Sequence, residues 1–317
     1  MKFLVTGGAG FIGSNIVEEL LKRGYRVRVL DNFSTGRREN LKEYEKDIEL
    51  IEGDIRSYHT VIKAVNGIDI ILHEAALPSV PRSIYDPITT HEVNAGGTLN
   101  LLNAAKDSGV KKVIYASSSS VYGDNPELPK HEGMMPNPLS PYAVSKLAGE
   151  KYCQVFSKLY GLETVSLRYF NVFGPRQDPN SQYSAVIPKF IKAIKENKQP
   201  VIYGDGTQSR DFTYVTNVVE GNLLAATKNV KSGIVMNCAT HSQITLNELV
   251  KYINEISGKN IEAVYNEKRP GDIKHSYASI KLIEDELQYQ TRISFTNGLE
   301  KTVLELSNKS IVNDYYN

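Results

Sequence analysis

The sequence predicts an α/β protein: a Rossmann-type doubly wound parallel sheet with a smaller mixed α/β C-terminal lobe. Three observations predict it. Short apolar runs alternate with amphipathic segments through the first half of the chain, as crossover connections between parallel strands require. A glycine cluster, Gly7-Gly8-Ala9-Gly10-Phe11-Ile12-Gly13, separates the first run from the first amphipathic segment. Beyond Asn171 the alternation breaks, and Gly, Pro, Asn and Asp gather in "FGPRQDPNSQ".

The elements follow in order. "KFLVTG" (2–7) reads as the first strand, and an amphipathic helix runs from about Phe11 to Arg23. "YRVRVLD" (25–31), "IELIEGD" (48–54), "IDIILHEAA" (68–76), "KKVIYASS" (111–118) and "LETVSLRYF" (162–170) read as strands two to six. Helical patterns occupy 91–107 and 142–160. The expected division is a nucleotide-binding domain over 1–170 and a substrate lobe over 171–317, interleaved with the first. No internal repeat or low-complexity tract interrupts the pattern.

Bulk properties exclude several function classes. The chain has 317 residues, 41% hydrophobic and 23% charged, with a formal net charge of +1. No basic field suits nucleic acid, and an anionic ligand has to be met by a few placed cations. The two cysteines, Cys153 and Cys238, are far apart, and the six histidines lack ligand spacing, so no metal site is expected. The cysteine usage fits a reducing compartment without structural disulfides. "MKFLVTGG" reaches glycine too soon for a signal peptide, and no run nears a membrane span. The expected location is the cytoplasm.

The glycine cluster satisfies both GxxGxxG (7, 10, 13) and GxGxxG (8, 10, 13). Such glycines permit a tight turn and let a pyrophosphate touch the backbone, with a helix N-terminus behind it. Asp31 closes the second strand 18 residues after Gly13. A carboxylate there accepts a ribose 2′-OH and repels a 2′-phosphate, which favours NAD over NADP. Arg37 and Arg38 would argue for NADP unless they form a solvated charge pair.

"SPYAVSK" places Tyr142 four residues before Lys146, on one face of a helix. A neighbouring ammonium favours the phenolate of a group that otherwise titrates near 10. Such a phenolate can take a proton from a sugar hydroxyl. The spacing alone is weak, because the chain has 19 tyrosines and Tyr277/Lys281 matches it too. Tyr142 is preferred because it follows the fifth strand, near the carboxyl edge of the sheet where ligands bind. That strand ends in four consecutive hydroxyls, Ser117 to Ser120, in "YASSSSVYG".

Taken together, "VTGGAGFIGS", the serine run with "VYG", "SPYAVSK" and "RYFNVFGPRQ" resemble the extended short-chain dehydrogenase/reductases, and among them the nucleotide-sugar 4-epimerases. The resemblance runs through essentially the whole chain. It implies NAD as cofactor, a UDP-sugar as substrate and a homodimer paired through the helices at 91–107 and 142–160. It implies Ser118, Tyr142 and Lys146 as the catalytic group, with Ser118 on the sugar 4-OH and Ser119 a second sugar contact. Ser117 and Ser120 are expected only to cap a turn. Related 4,6-dehydratases carry an Asp-Glu pair where this chain has Ser119 and Ser120, and decarboxylases carry a Glu at the Ser120 position. Without those acids the resemblance points to 4-epimerisation through a 4-keto sugar.

The same resemblance assigns the remaining contacts. On the cofactor side stand Gly7, Gly10, Phe11, Ile12, Asp31 and Asn32. Asp54 and Ile55 match adenine contacts, Ala75 and Ala76 the nicotinamide approach, Asn94 a ribose or strand-end contact, and Phe170 packing near the nicotinamide. On the substrate side stand Ser79, Asn171, Ala185, Val186, Val201 and Tyr203, with Arg210 and Arg269 clamping the diphosphate and Asp272 near the ribose. Pro78 occupies the place of a cofactor-binding lysine found in some hexose epimerases, a departure that weakens the expected grip on NAD. Ser276 matches a size gate beside the sugar. A small residue there leaves room for a 2-N-acetyl group, which favours UDP-GlcNAc/UDP-GalNAc, with UDP-Glc/UDP-Gal as a further pair. The rivals are UDP-glucuronate 4-epimerisation, for which Arg82 is a candidate cation, a decarboxylase or dehydratase of the same fold, and a non-catalytic NAD-sensing module.

Overall fold

A computed structural model describes residues 1–178, 186–268 and 274–313. Six parallel strands carry the first half: β1 (Lys2–Thr6), β2 (Arg26–Asp31), β3 (Ile48–Glu52), β4 (Ile70–His73), β5 (Lys112–Ser118) and β6 (Glu163–Tyr169). Their spatial order is β3-β2-β1-β4-β5-β6, and the strand Ile234–Cys238 adds a seventh, parallel to β6. The order reverses between β1 and β4, so the carboxyl ends of those strands open a crevice suited to a dinucleotide. The chain beyond 171 therefore returns to the main sheet as well as building its own lobe.

Helices cover both faces of the sheet. Phe11–Lys22 and Val215–Thr227 bury Ile16, Val17, Leu20, Val218 and Leu223 against one face. Tyr58–Val65, Gly97–Asp107 and Pro141–Tyr160 bury Val61, Leu101, Leu102, Cys153 and Phe156 against the other. A third core joins Phe173, Phe190, Phe212, Leu249, Phe295 and Leu299 within the C-terminal lobe. That lobe carries short strand pairings, including Ser209–Arg210 between Ile244–Thr245 and His275–Ser276.

Several boundaries shift from the sequence expectation. The fourth strand ends at His73 rather than Ala76, although the Glu74 N–H still donates to the Thr6 carbonyl at 3.1 Å. The helical pattern expected over 91–107 starts earlier, at Pro87, because Asp86 caps the Thr89 N–H at 3.1 Å with proline in the first turn. It then passes through a π-helical turn, Glu92–Gly96, before continuing as Gly97–Asp107. Such turns mark places where a helix redirects a side chain. Here the turn carries Asn94 inward, and Gly97 lets the helix approach so closely that a Cβ would lie 2.5 Å from Ile55 Cδ1.

The helix Pro141–Tyr160 is well specified by its sequence. Ser140 accepts from the Ala143 N–H at 3.2 Å, Pro141 opens the first turn, and Gly161 closes the helix at φ 71°. It lies close on β5 because Gly149 has no side chain: a Cβ there would meet the Tyr115 hydroxyl at 2.2 Å and Cζ at 2.3 Å. Alanine would favour the helix by about 1 kcal/mol. It would also overpack a fully buried, rigid ring, which costs about 1–3 kcal/mol. Gly149→Ala is therefore expected to lower the unfolding free energy in urea; an unchanged or raised midpoint would show that Tyr115 relaxes freely.

Candidate active site

The glycine turn is built by contacts that no side chain could share. Gly7 stands at φ 69°, and a Cβ on it would fall 2.7 Å from the Ala75 backbone nitrogen. A Cβ on Gly13 would fall 2.2 Å from the Gly7 carbonyl oxygen. The helix begins at Phe11 behind Gly10, and no side chain caps it, which leaves its first N–H groups to an anion. Asp31 holds the turn from below: its carboxylate accepts from the Ala9 N–H at 2.9 Å and the Phe33 N–H at 2.8 Å. Burial pushes its pKa up, and those two backbone bonds pull it back. Asp31 is thus a structural acceptor in addition to the ribose contact the sequence expects.

The neighbouring groups are arranged accordingly. Arg38 stacks on the Phe33 ring at 4.0 Å and pairs with Glu52, while Arg37 pairs with Asp178. Each arginine has its own carboxylate and stays about half exposed, in keeping with a solvated charge pair. Asn32 Nδ2 donates to Asp54 at 2.9 Å, and the Arg56 guanidinium, 2.8 Å away, holds that carboxyl below its ordinary range. Ile55 is buried against Gly97, which leaves only its backbone for an adenine contact.

Asn94 is fully bonded within the chain. Its side chain bonds both the N–H and the carbonyl of Leu77, at 2.7 and 3.1 Å, and donates to Ser145 Oγ at 3.0 Å. It is 1% exposed, and these bonds place it at the end of β4. Ser145 in turn donates to the Tyr142 carbonyl at 2.8 Å, which ties the segment after β4 to the helix that carries Tyr142. Ala75 and Ala76 line that segment, and the buried Phe170 packs on Tyr122 with ring centroids 6.2 Å apart.

At the end of β5 the hydroxyls divide by face. Ser117 points into the core and donates to Glu150 at 2.5 Å, joining the buried Arg168–Glu150 pair. It is part of that network and caps no turn, contrary to expectation. Ser118 accepts from the Ser120 N–H at 3.1 Å and lies beside the Tyr142 side chain, close enough to lower its pKa. Ser120 itself has a buried hydroxyl without a partner among the described residues. Lys146 is buried; its ammonium donates to the Ala116 carbonyl at 2.8 Å and lies 5.9 Å from the Tyr142 ring centre. Burial brings Lys146 down to about 8, against the pull of Glu74. Burial also raises Tyr142, the neighbouring Ser118 hydroxyl lowers it, and Glu74 raises it further.

On the far side, Arg210 and Ser276 are register partners on adjacent strands. Arg210 donates to the carbonyls of Ser209 and Lys274 at 2.8 and 3.3 Å. The Asp211 N–H donates to the Ser276 carbonyl at 2.8 Å. Asn171 takes φ 33° and donates to the Asp211 carbonyl at 3.2 Å. Tyr203 accepts from Gln208 at its carbonyl, Val201 is exposed, and Val186 opens the helix Val186–Lys195. Ser79 caps the short helix Val80–Tyr85 from a strained φ of 95°. Ala185, Arg269 and Asp272 lie outside the described residues. The competing pair Tyr277/Lys281 is set aside: Lys281 opens a separate helix, and Tyr277 stands before it, edge-on to His241. The sequence reading missed Glu74, Tyr169 and Asn222; an acid inside the apolar run "IDIILHEAA" was the available signal.

No cluster of metal-ligating side chains exists among the described residues, and no helix there is long and apolar enough to cross a membrane. The profile of the NAD dependent epimerase/dehydratase family matches residues 3–239. A putative UDP-glucose 4-epimerase of Methanocaldococcus jannaschii is 38% identical over 97% of this chain and 99% of its own length. The fold also matches a UDP-N-acetylglucosamine 4-epimerase from Methanobrevibacter ruminantium, solved with UDP-N-acetylmuramic acid. That match has a TM-score of 0.93 and 42% identity, over 97% of this chain and 98% of that one. The UDP-glucose 4-epimerase of Thermotoga maritima, solved with UDP-glucose, matches with a TM-score of 0.93 and 36% identity, over 98% and 99% of the two chains.

The glycine turn offers a direct check on the cradle. Gly7→Ala forces a left-handed alanine against Ala75, a strain of about 1–3 kcal/mol. NAD binding measured by calorimetry is expected to weaken by about tenfold or more; unaltered affinity would mean that the turn is not where the dinucleotide sits.

Proposed function

The chain belongs to the NAD-dependent epimerase/dehydratase family, and from that premise we propose that it interconverts UDP-GlcNAc and UDP-GalNAc, and UDP-Glc and UDP-Gal as well. The coarser activity, NAD-dependent 4-epimerisation of a UDP-sugar, is supported by the three 4-epimerases described above, each matched along nearly its whole length. The observation that carries the chemistry is the convergence of Ser118, Tyr142 and Lys146 at the carboxyl edge of β5, beside a glycine cradle with an uncapped helix N-terminus.

The cradle residues Gly7, Gly10, Gly13 and Asp31 fit the diphosphate and ribose of NAD, since a Cβ at Gly7 or Gly13 would fill the turn. Bound there, NAD would supply hydride-transfer chemistry and nothing else. The chain's own groups do the rest. Lys146 stabilises the Tyr142 phenolate by its charge. The phenolate takes the proton of the sugar 4-OH, which Ser118 orients, and gives it back when the ketone is reduced on its other face. Ser119 and Ser120 offer no acid or base, so the ketone is not diverted to dehydration or decarboxylation.

The preference for an acetylated sugar rests on Ser276. Its small side chain sits in register with Arg210, so the group that limits sugar size and the proposed diphosphate clamp share one strip of sheet. Holding the nucleotide through Arg210 while leaving the hexose loosely bounded lets the 4-keto sugar turn over between its two reductions. The UDP-N-acetylmuramic acid complex of the Methanobrevibacter ruminantium enzyme supports a roomy site in this branch of the family. UDP-glucuronate epimerisation remains the second reading: Arg82 is half-buried one turn after Ser79, and a UDP-glucuronic acid 4-epimerase from Bacillus cereus is 35% identical with a TM-score of 0.89.

We also propose a homodimer and a cytoplasmic location. Val144, Val155 and Leu159 stand exposed along one stripe of Pro141–Tyr160, near the exposed Ile84, Tyr85 and Ile88. A second copy laid against this stripe would bury it. Cys153 and Cys238 are free and buried, as suits a reducing compartment.

Two substitutions test the reading. Tyr142→Phe is expected to bind UDP-sugar with little change yet lose at least about a hundredfold in turnover, the usual worth of a general base. Retained turnover would identify another base. Ser276→Tyr is expected to reduce UDP-GlcNAc turnover far more than UDP-Glc turnover, read by NMR on a panel of UDP-sugars. Equal losses would remove the size-gate argument.

A further inference from the structure

Glu74 is used neither by the glycine cradle nor by the Ser118–Tyr142–Lys146 group, yet it is built into the floor beneath both. It follows the last residue of β4, and its N–H keeps the ladder bond to Thr6. His73 pairs with Tyr115, so Glu74 stands level with Ala116 on the opposite face of the sheet from His73. Ser118 pairs with Tyr169 on β6, and alternation puts Ala116, Ser118 and Tyr169 on that same face. The Ala116 methyl leaves open the space between, and the Tyr169 hydroxyl reaches across it to donate to Glu74 at 2.7 Å. Asn222 on Val215–Thr227 donates to the Tyr169 oxygen at 2.7 Å. The chain of donors runs one way, from Asn222 through Tyr169 to the carboxyl of Glu74. Tyr169 and Asn222 are buried, which shields the bond between them from water, while Glu74 itself is half-buried. The carbonyl of Ala116, the residue level with Glu74, is the one that takes the Lys146 ammonium.

We propose that Glu74 is a positioning residue of the epimerisation, an acid wired through Tyr169 to Asn222 that sets the charge carried by the Tyr142–Lys146 pair. The inference rests on the epimerase reading of that pair. Tyr169 on β6 bonds Glu74 directly, and the charge of Glu74 also reaches Tyr142 and Lys146 on Pro141–Tyr160 and Cys238 on the seventh strand. Burial lifts Glu74 to about 7, and the Tyr169 bond and the Lys146 charge hold it from going higher. It therefore changes charge near neutrality. Ionised, Glu74 keeps Lys146 an ammonium to higher pH and opposes the negative phenolate; protonated, it does neither. Both members of the pair are pushed upward by the same carboxylate.

The sign of the test follows. Glu74→Gln keeps the hydrogen-bonding shape and removes the charge. Both the acid and the alkaline limbs of the kcat/KM profile are expected to move to lower pH, by roughly half a unit or more. Tyr169→Phe removes the donor that stabilises the carboxylate, so Glu74 stays protonated further into the neutral range. Both limbs are expected to move in the same direction by a smaller amount. In parallel, the protein is labelled with isotopic tyrosine, the Tyr142 signal is identified by its loss in Tyr142→Phe, and its titration is followed by NMR in wild type and both variants. A lower midpoint for Tyr142 in Glu74→Gln supports the inference. Limbs and midpoint that stay in place while turnover drops would reduce Glu74 to a packing role and overturn it, as would a shift to higher pH. Should no UDP-sugar be turned over at all while the Tyr142 midpoint still falls, the epimerase reading fails and the charge coupling stands.

Discussion

The buried ion pair between Glu150 and Arg168 fixes where the helix Pro141–Tyr160 lies across the sheet, and the site depends on that placement. Two parallel bonds of 2.8 Å join the carboxylate to the guanidinium, and Ser117 fills a further acceptor position. Both side chains are almost fully removed from water. A pair in that setting tolerates little misalignment, because breaking it strands a buried charge at a cost of about 3–5 kcal/mol. Glu150 lies one helical turn past Lys146. The same lock therefore sets the height at which Lys146 meets the Ala116 carbonyl and the azimuth at which Tyr142 faces Ser118. Gly149 against Tyr115 sets the depth, and Asn94 through Ser145 sets the end of the helix nearest the cofactor crevice.

From this placement the chemistry follows by omission as much as by provision. The edge of β5 presents the Ser118 hydroxyl toward Tyr142 and turns the one before it, Ser117, into the core. The places where related enzymes carry acids hold serines. A site of this composition can pass a proton and orient a hydroxyl, and the proposed reading takes the serines at those places to leave the keto sugar undiverted. The C-terminal lobe adds the complementary requirement. Its short strands put Arg210 beside Ser276, so the proposed nucleotide clamp and the proposed sugar gate share one small sheet.

Much of this was legible in the sequence, for reasons that differ by element. The glycine turn was readable because tight backbone approach admits no substitute, and the strands because both faces of a parallel sheet are buried and read as apolar runs. The helix Pro141–Tyr160 announced itself through Ser140, Pro141 and Gly161. The π-helical turn at Glu92–Gly96 was not readable, since it answers to the distant Leu77 backbone and to Ile55. Ser117 was misjudged for the same reason: its partner, Glu150, is 33 residues away and reaches it only through the fold. Glu74 was passed over because its neighbours in sequence are apolar and its partners, Tyr169 and Asn222, arrive from two other elements.

The central claim is that the hydrogen removed from the sugar returns to the same carbon. The most direct measurement supplies UDP-GlcNAc carrying deuterium at C4 to the NAD-loaded protein in ordinary water and reads the product by NMR and mass. The account predicts UDP-GalNAc with deuterium retained at C4. Product whose label has washed out into solvent, or product that has lost water or carbon dioxide, would contradict it.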